Sequence, residues 1–264
     1  SSMAMVISKE LADIRREYGR KRRTEIGNFA DAVYEEKQAE EFDLAFVMDR
    51  FGYAKTIDLP SFEKNKDSIA EDYQFSFTCR NTGKVCIFTN TGNLHTIKAL
   101  DLPQGKLRDK GIPIDNISNF DASKEKIIFA ASQSDLNLYR LIFITKQAMV
   151  KMVDGGEFDV AKKCVAATKL SDGDEVIRIG LLKTQKTMLQ TQNHYFLRFP
   201  LEEIPEKKKA AIGVRGMKLG KNDVLSQVYF LEDVDLSVAA VEGKSIALNT
   251  LKIASRDGRG QKKA

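Results

Sequence analysis

The 264-residue chain contains no tryptophan, two histidines, five prolines and three cysteines. Two histidines are too few for a zinc centre built on imidazole. Cys79, Cys86 and Cys164 are odd in number and lack metal-like spacing. That excludes a disulfide framework and fits reduced thiols in a cytoplasmic core. No apolar run exceeds the length of a strand, as in Leu141-Ile-Phe-Ile144, so neither a signal peptide nor a membrane span is expected. A phosphate-cradling Gly-rich loop with its Lys-Ser/Thr ending is also missing. These absences remove most enzyme classes and leave no cofactor or metal site expected in the segment.

Charge is present but unevenly placed. The chain carries a net +5, and residues 244–264 alone carry that amount, through Lys244, Lys252, Arg256, Arg259, Lys262 and Lys263 against Asp257. The remainder sums to zero. A neutral body with a basic end suggests contact with a polyanion through patches. The opening Ser1-Ser2-Met3 reads as a cloning remnant, which points to a segment excised from a longer protein.

A short unit returns along the chain with changed spelling. It reads Arg50-Phe-Gly-Tyr-Ala-Lys-Thr-Ile-Asp-Leu-Pro60, then Asn90-Thr-Gly-Asn-Leu-His-Thr-Ile-Lys98. A third copy is Lys146-Gln-Ala-Met-Val-Lys-Met-Val153 and a fourth is Gln192-Asn-His-Tyr-Phe-Leu-Arg-Phe-Pro200. Aligning Gly52, Gly92, Ala148 and His194 gives steps of 40, 56 and 46 residues, and a weaker fifth copy is placed at Asn249-Thr-Leu-Lys252. Each of the four carries Lys or His three places after the aligned residue, or Arg four places after it. Repeats of this length are the signature of stacked small sheets.

Residues 8–25 read as a helix with Ser8 as N-cap and Leu11, Ile14 and Tyr18 on one face, weakened or ended near Gly19. Residues 26–40 are acidic and poorly patterned, as a linker would be. From residue 42 the pattern changes to short apolar strands, at 42–48, 74–79, 85–89, 126–130, 138–145, 176–182, 187–191 and 224–231. Turn signals such as Asn81-Thr-Gly83, Ser171-Asp-Gly-Asp174 and Glu242-Gly243 lie between them. The expected organisation is a helix and linker over 1–40, then an all-β domain over 41–264. About five four-stranded sheets are expected within 42–256.

The loops after the repeated strand also rhyme. Lys106-Leu-Arg-Asp-Lys110 precedes Gly111, Lys207, Lys208 and Lys209 precede Gly213-Val-Arg-Gly-Met-Lys218, and Arg256 and Arg259 are interleaved with Gly258 and Gly260. Glycine lets a backbone approach a surface while Lys and Arg face outward, a design suited to phosphates; the same glycines could simply serve turn geometry.

These residues resemble the C-terminal domains of bacterial type IIA topoisomerase A subunits, those of gyrase and topoisomerase IV. Phe88-Thr-Asn-Thr-Gly92 and Gly213-Val-Arg-Gly-Met-Lys-Leu219 are similar to recurring motifs of that family. Tyr18-Gly-Arg-Lys-Arg-Arg-Thr-Glu-Ile26 resembles the passage out of the family's cleavage core. The resemblance implies a β-pinwheel whose rim bends or wraps duplex DNA. It also implies an ATPase B subunit, a second A subunit, and ATP and Mg²⁺ in the full enzyme. Gyrase A subunits carry a Gln-Arg-Arg-Gly-Gly-Lys-Gly box after the first blade. Residues 60–72 stand there with four acids and neither Gly nor Arg, which favours topoisomerase IV. A gyrase domain with a degenerate box, or a protein-binding propeller, is the alternative. The family's nucleophilic Tyr follows an Arg, whereas no tyrosine here does. No catalytic residue is therefore expected. The expected DNA contacts are Lys55, Lys98, Lys106, Arg108, Lys110, Lys151, Lys162, Lys163, Lys207, Lys208, Lys209, Arg215 and Lys218. A flexible tail would add Lys252, Arg256, Arg259, Lys262 and Lys263.

Overall fold

The computed structural model describes residues 2–21, 24, 40–182, 186–231 and 237–263. They fall into two bodies, 1–39 and 40–264. In the first, helix α1 spans Met3–Tyr18 with every residue exposed. It begins five residues before the expected start, so Ser8 lies inside the helix and Ser2 takes the N-cap position. The helix stops at Gly19, whose N–H bonds the Arg15 carbonyl at 2.9 Å. The expected linker falls almost wholly outside the described residues. No described helix is long and apolar enough to cross a membrane.

The second body is a run of strands in repeating order. Its elements are β1 Asp43–Met48, β2 Tyr53–Asp58, α2 Leu59–Lys64, α3 Lys66–Asp72, β3 Phe75–Arg80, β4 Lys84–Thr89, β5 Asn93–Lys98, β6 Ile112–Pro113 and β7 Ile127–Ser132. They continue with α4 Gln133–Leu136, β8 Arg140–Thr145, β9 Met149–Asp154, β10 Cys164–Ala166, β11 Val176–Leu181 and β12 Lys186–Thr191. The last are β13 Tyr195–Pro200, β14 Val214–Arg215, β15 Leu225–Leu231, β16 Val238–Val241, β17 Lys244–Ala247 and β18 Gln261–Lys262.

Four antiparallel sheets result: β3-β1-β2-β6, β10-β5-β4-β7, β11-β8-β9-β14 and β15-β12-β13-β18. A fifth pair, β16-β17, is two-stranded among the described residues. The all-β pinwheel expectation therefore holds, with four full sheets and a hairpin where about five full sheets were expected. The second, third and fourth repeats each make a hairpin, send a short strand to the sheet of the preceding repeat, and return to pair with their own hairpin; the fifth contributes its hairpin and β18. Thus β6, β10, β14 and β18 each complete the sheet before their own.

The turn position of each hairpin is the residue on which the repeats align. Gly52, Gly92, Ala148 and His194 have φ of +83°, +81°, +63° and +62°. Each donates its N–H to the carbonyl three residues back, at 3.0–3.1 Å. The side chain at that earlier position (Asp49, Thr89, Thr145 or Thr191) accepts the N–H just after the turn. The fifth turn is at Gly243, φ +79°, not near Asn249, which lies in a single 3₁₀ turn. The fifth copy was misplaced because its strand carries no basic residue at the repeated site.

Strands β1, β4 and β8 are buried on both faces, which explains why they read as unbroken apolar runs. The core consists of four clusters between successive repeats, plus one beneath α2 and α3. Phe62 and Ile69 plant the two helices on Ala45, Val47 and Ile57 of the first sheet. Residues 60–72, where no helix was expected, thus fold as helices in the place where every other repeat sends out a strand.

Candidate nucleic-acid interface

Three of the outgoing segments form loops of one length. Parallel bridges start them at Gln104, Glu206 and Ile253, opposite Thr56, Met152 and Arg198. Eight residues on, Ile112, Val214 and Gln261 pair with Ala54, Val150 and Phe196. The residue before each pairing is Gly111, Gly213 or Gly260. A Cβ there would lie 2.5, 2.7 or 2.6 Å from the facing backbone oxygen. The rhyming glycines therefore serve close strand docking between repeats. In the second sheet the loop is missing: Thr96 N–H bonds the Lys163 carbonyl at 2.9 Å and β10 follows at once.

Seven of the expected contact residues sit on these segments or at their ends with exposed side chains. Lys106, Arg108 and Lys110 occupy the first loop, Lys208 the second and Arg259 the third, with Lys252 and Lys262 at the third loop's two ends. Lys207, Lys209, Arg256 and Lys263 are half-buried, while Lys98, Lys162, Lys163 and Lys218 are exposed. Equivalent aromatic supports recur under two of the cations: Lys110 lies 4.4 Å from the centre of the Tyr53 ring and Arg259 5.6 Å from that of Tyr195. Such contacts fix the direction in which a flexible cation points.

Several of these charges already have partners. Arg215 makes a two-pronged pair with Asp257, one bond at 3.0 Å, and this holds the Asp257 carboxyl below its ordinary range. Lys208 lies 2.9 Å from Glu157. Burial favours a higher Glu157 pKa, but the Lys209 N–H and the Lys208 ammonium together hold it below the usual glutamate value.

Lys55 and Lys151 are corrections. They are 2% and 1% exposed, so neither can reach a phosphate. The Lys55 ammonium binds the carbonyls of Lys106, Leu107 and Asp109. The Lys151 ammonium binds those of Lys208, Lys209 and Ala211, at 3.3, 2.9 and 2.8 Å. These are the same three places in the two loops. Arg198 bonds the carbonyls of Asn249 and Leu251 in the following repeat. His95, at the matching site of the loop-free sheet, instead lies 3.2 Å from both Glu125 oxygens. The repeated basic residue is thus an internal clasp.

The tail is a second correction. It is docked: β18 closes the fourth sheet, and the Arg256 side chain bonds the carbonyls of Glu203 and Arg215. The acids at 172–175 organise a turn, with Asp174 accepting from Gln147 N–H and Glu175 reaching Asn90 and Lys146.

The family model described as DNA gyrase C-terminal domain, beta-propeller, matches residues 139–183 and 185–231, which are the third and fourth repeats. The crystal structure of the C-terminal domain of DNA topoisomerase IV superposes with a TM-score of 0.75 at 26% identity, covering 84% of this chain and 73% of that one. These matches support a C-terminal domain of a type IIA topoisomerase A subunit. The DNA gyrase A subunit of Helicobacter pylori is 28% identical over 269 residues, 95% of this chain and 32% of that protein. Its Staphylococcus aureus counterpart is 26% identical over 284 residues, 99% and 32% of the two chains. This domain therefore spans about a third of the curated relatives it matches. A DNA gyrase A C-terminal domain shares the fold, with a TM-score of 0.55 at 18% identity over 83% of this chain and 76% of that one.

Proposed function

We propose that this domain binds and bends duplex DNA for an ATP-dependent type II topoisomerase, through phosphate contacts from its three equal loops. The observation that carries this reading is the placing of Lys106, Arg108 and Lys110, of Lys207, Lys208 and Lys209, and of Arg259 on equivalent loops of stacked repeats, where Lys106 matches Lys208 and Lys110 matches Arg259. Cations on such loops replace condensed counterions without reading bases, and the curve of the stack sets the bend. The holoenzyme partners are an ATPase subunit, which is the B subunit of the family, together with a second A subunit. Strand cleavage, ATP and Mg²⁺ belong to those other parts, and the domain alone has no catalytic activity.

The test is a duplex titration at two salt concentrations. Affinity should fall steeply with salt and should not depend on sequence. A protein-binding propeller would show no salt-dependent affinity for DNA, and that result overturns the reading.

The finer assignment is to a topoisomerase IV-like enzyme. The curated relatives above are gyrase subunits, so this assignment rests on residues 60–72. They fold as α2 and α3, with Glu63, Asp67, Glu71 and Asp72 exposed, in the place of a basic strand-donating loop. Acids at that point repel a duplex that continues around the first repeat. The holoenzyme is expected to relax or decatenate DNA without introducing negative supercoils into a relaxed plasmid. Negative supercoiling by the assembled enzyme with ATP would reassign it to gyrase.

A further inference from the structure

We infer that Lys151 and Lys55 are positioning residues for DNA binding, holding the second and first basic loops in binding shape from inside the domain. The inference rests on the loop-phosphate reading above. Its support is a comparison the molecule makes within itself. The eight-residue loop is present on the first, third and fourth sheets, and on the first and third a Lys stands three places after the turn. Its ammonium gathers the same three loop carbonyls in both cases. Where the loop is missing, in the second sheet, that site holds His95 and turns to Glu125. In the fourth sheet the site is Leu197, and the loop carbonyl of Gly258 is taken by Lys218 N–H at 2.8 Å. The buried amine thus occurs only where there is a loop to fasten, in two of the three cases, and the strand without a loop does without it.

The consequence for binding follows from backbone geometry. Three carbonyls gathered onto one ammonium fix the loop backbone, and with it the place of the side chains that backbone carries. For the second loop these are Lys208 and Lys209, with Lys207 beside them. An ammonium has three donors and no acceptor, so it can satisfy three carbonyls at once. A methionine of similar length fills the space and supplies none, and the loop loses its inner attachment while its surface charge is unchanged.

The groups facing the Lys151 amine are Glu157 from the turn after β9, Lys207, and the loop lysines Lys208 and Lys209, of which Lys208 is paired with Glu157. The Phe143 ring lies 5.4 Å away. Burial pushes Lys151 down to about 8, opposed by Glu157 and assisted by Lys207. The amine is therefore charged at pH 7 and largely neutral at pH 9, where it keeps two donors for three carbonyls.

The experiment uses the full chain and a short fluorescein-labelled duplex, with anisotropy titrations across a salt series. Four proteins are compared: wild type, Lys151→Met, Lys151→Arg, and the surface triple Lys207→Gln, Lys208→Gln, Lys209→Gln. Melting curves establish that each is folded. Lys151→Met should flatten the salt slope towards that of the triple, by up to about 2.7 units at ~0.9 per lost phosphate contact. Lys151→Arg should restore part of the slope. A folded Lys151→Met with the wild-type slope, beside a triple that flattens it, overturns the positioning role and leaves the DNA reading intact. A wild type without salt-dependent binding overturns the DNA reading itself. Should Lys151→Met fail to fold, the pH profile decides. Wild-type affinity should fall between pH 7 and 9 while that of Lys151→Arg does not, all other titrating groups being common to both. Identical profiles overturn the inference.

Discussion

Replacing Lys106, Arg108, Lys110, Lys207, Lys208 and Lys209 together by Gln is expected to flatten the dependence of log K on log salt by about 5.4 units, at ~0.9 per phosphate contact. Over a fourfold change in salt, wild-type affinity should then fall on the order of 10³-fold more than that of the variant. The expectation requires that all six reach phosphate. Two full loops contribute, and their residues lie on segments fixed at both ends by inter-repeat bonds. Melting temperature should change little, because exposed substitutions usually stay within about 0.5 kcal/mol. Lys209 is the exception in kind, since its ammonium also bonds the Glu157 carbonyl at 2.7 Å. A matching set of six changes in and just after α1, in the first hairpin turn and at the end of β3 provides the comparison: Lys9, Arg15, Arg16, Lys21, Arg50 and Arg80 to Gln remove equal charge from other places. If that set flattened the slope equally, binding would be diffuse attraction to net charge, and the loops would have no special part.

The repeat was legible because turn geometry is local. A left-handed residue closing each of the first four hairpins, with Asp or Thr three places before it, leaves a mark that survives when Gly becomes Ala148 or His194. Strand positions followed for the same reason: sheets buried on both faces must be spelled in apolar runs. What the sequence hid was non-local. Lys55 lies between Ala54 and Thr56 in a strand buried along its middle, and a Lys there reads as a surface charge unless the loop carbonyls around its amine are known. The one available signal was that both flanking residues are small and interior.

The tail was misread for a related reason. Arg256 to Lys263 lacks apolar residues, so composition suggests freedom. Its order comes instead from backbone pairing with β13 and from polar bonds to Glu203 and Arg215. The equal interval from Ile253 to Gln261 and from Glu206 to Val214 was present in the sequence, but it acquires meaning only once the bridges at both ends are seen. Residues 60–72 show the opposite case. Their departure from a basic box was plain, while the helices they form depend on Phe62 and Ile69 finding a surface on the first sheet.

Phe88→Ala is expected to lower the free energy of unfolding by about 3–5 kcal/mol, the range for removing a fully buried Phe. Phe88 is fully buried at the junction of the second and third repeats. Its ring meets those of Phe158, Phe129 and Phe143 at centroid distances of 5.2, 5.9 and 6.0 Å, with Phe158 and Phe143 edge-on. Edge-to-face pairs of this kind add to the burial itself, so the loss lies toward the upper end. The effect should also have a direction along the chain. In a stacked array each repeat is held mainly by its neighbours, and weakening one junction divides the array there. Amide exchange in Phe88→Ala should therefore quicken on both flanks of that junction, in β7 and β8, before it quickens in β13. Phe51→Ala is the control, since that ring is 71% exposed at the first turn and its loss should stay within about 0.5 kcal/mol. Uniformly faster exchange in every sheet would mean that the five repeats unfold as one cooperative body, and the nearest-neighbour account of this array would have to be given up.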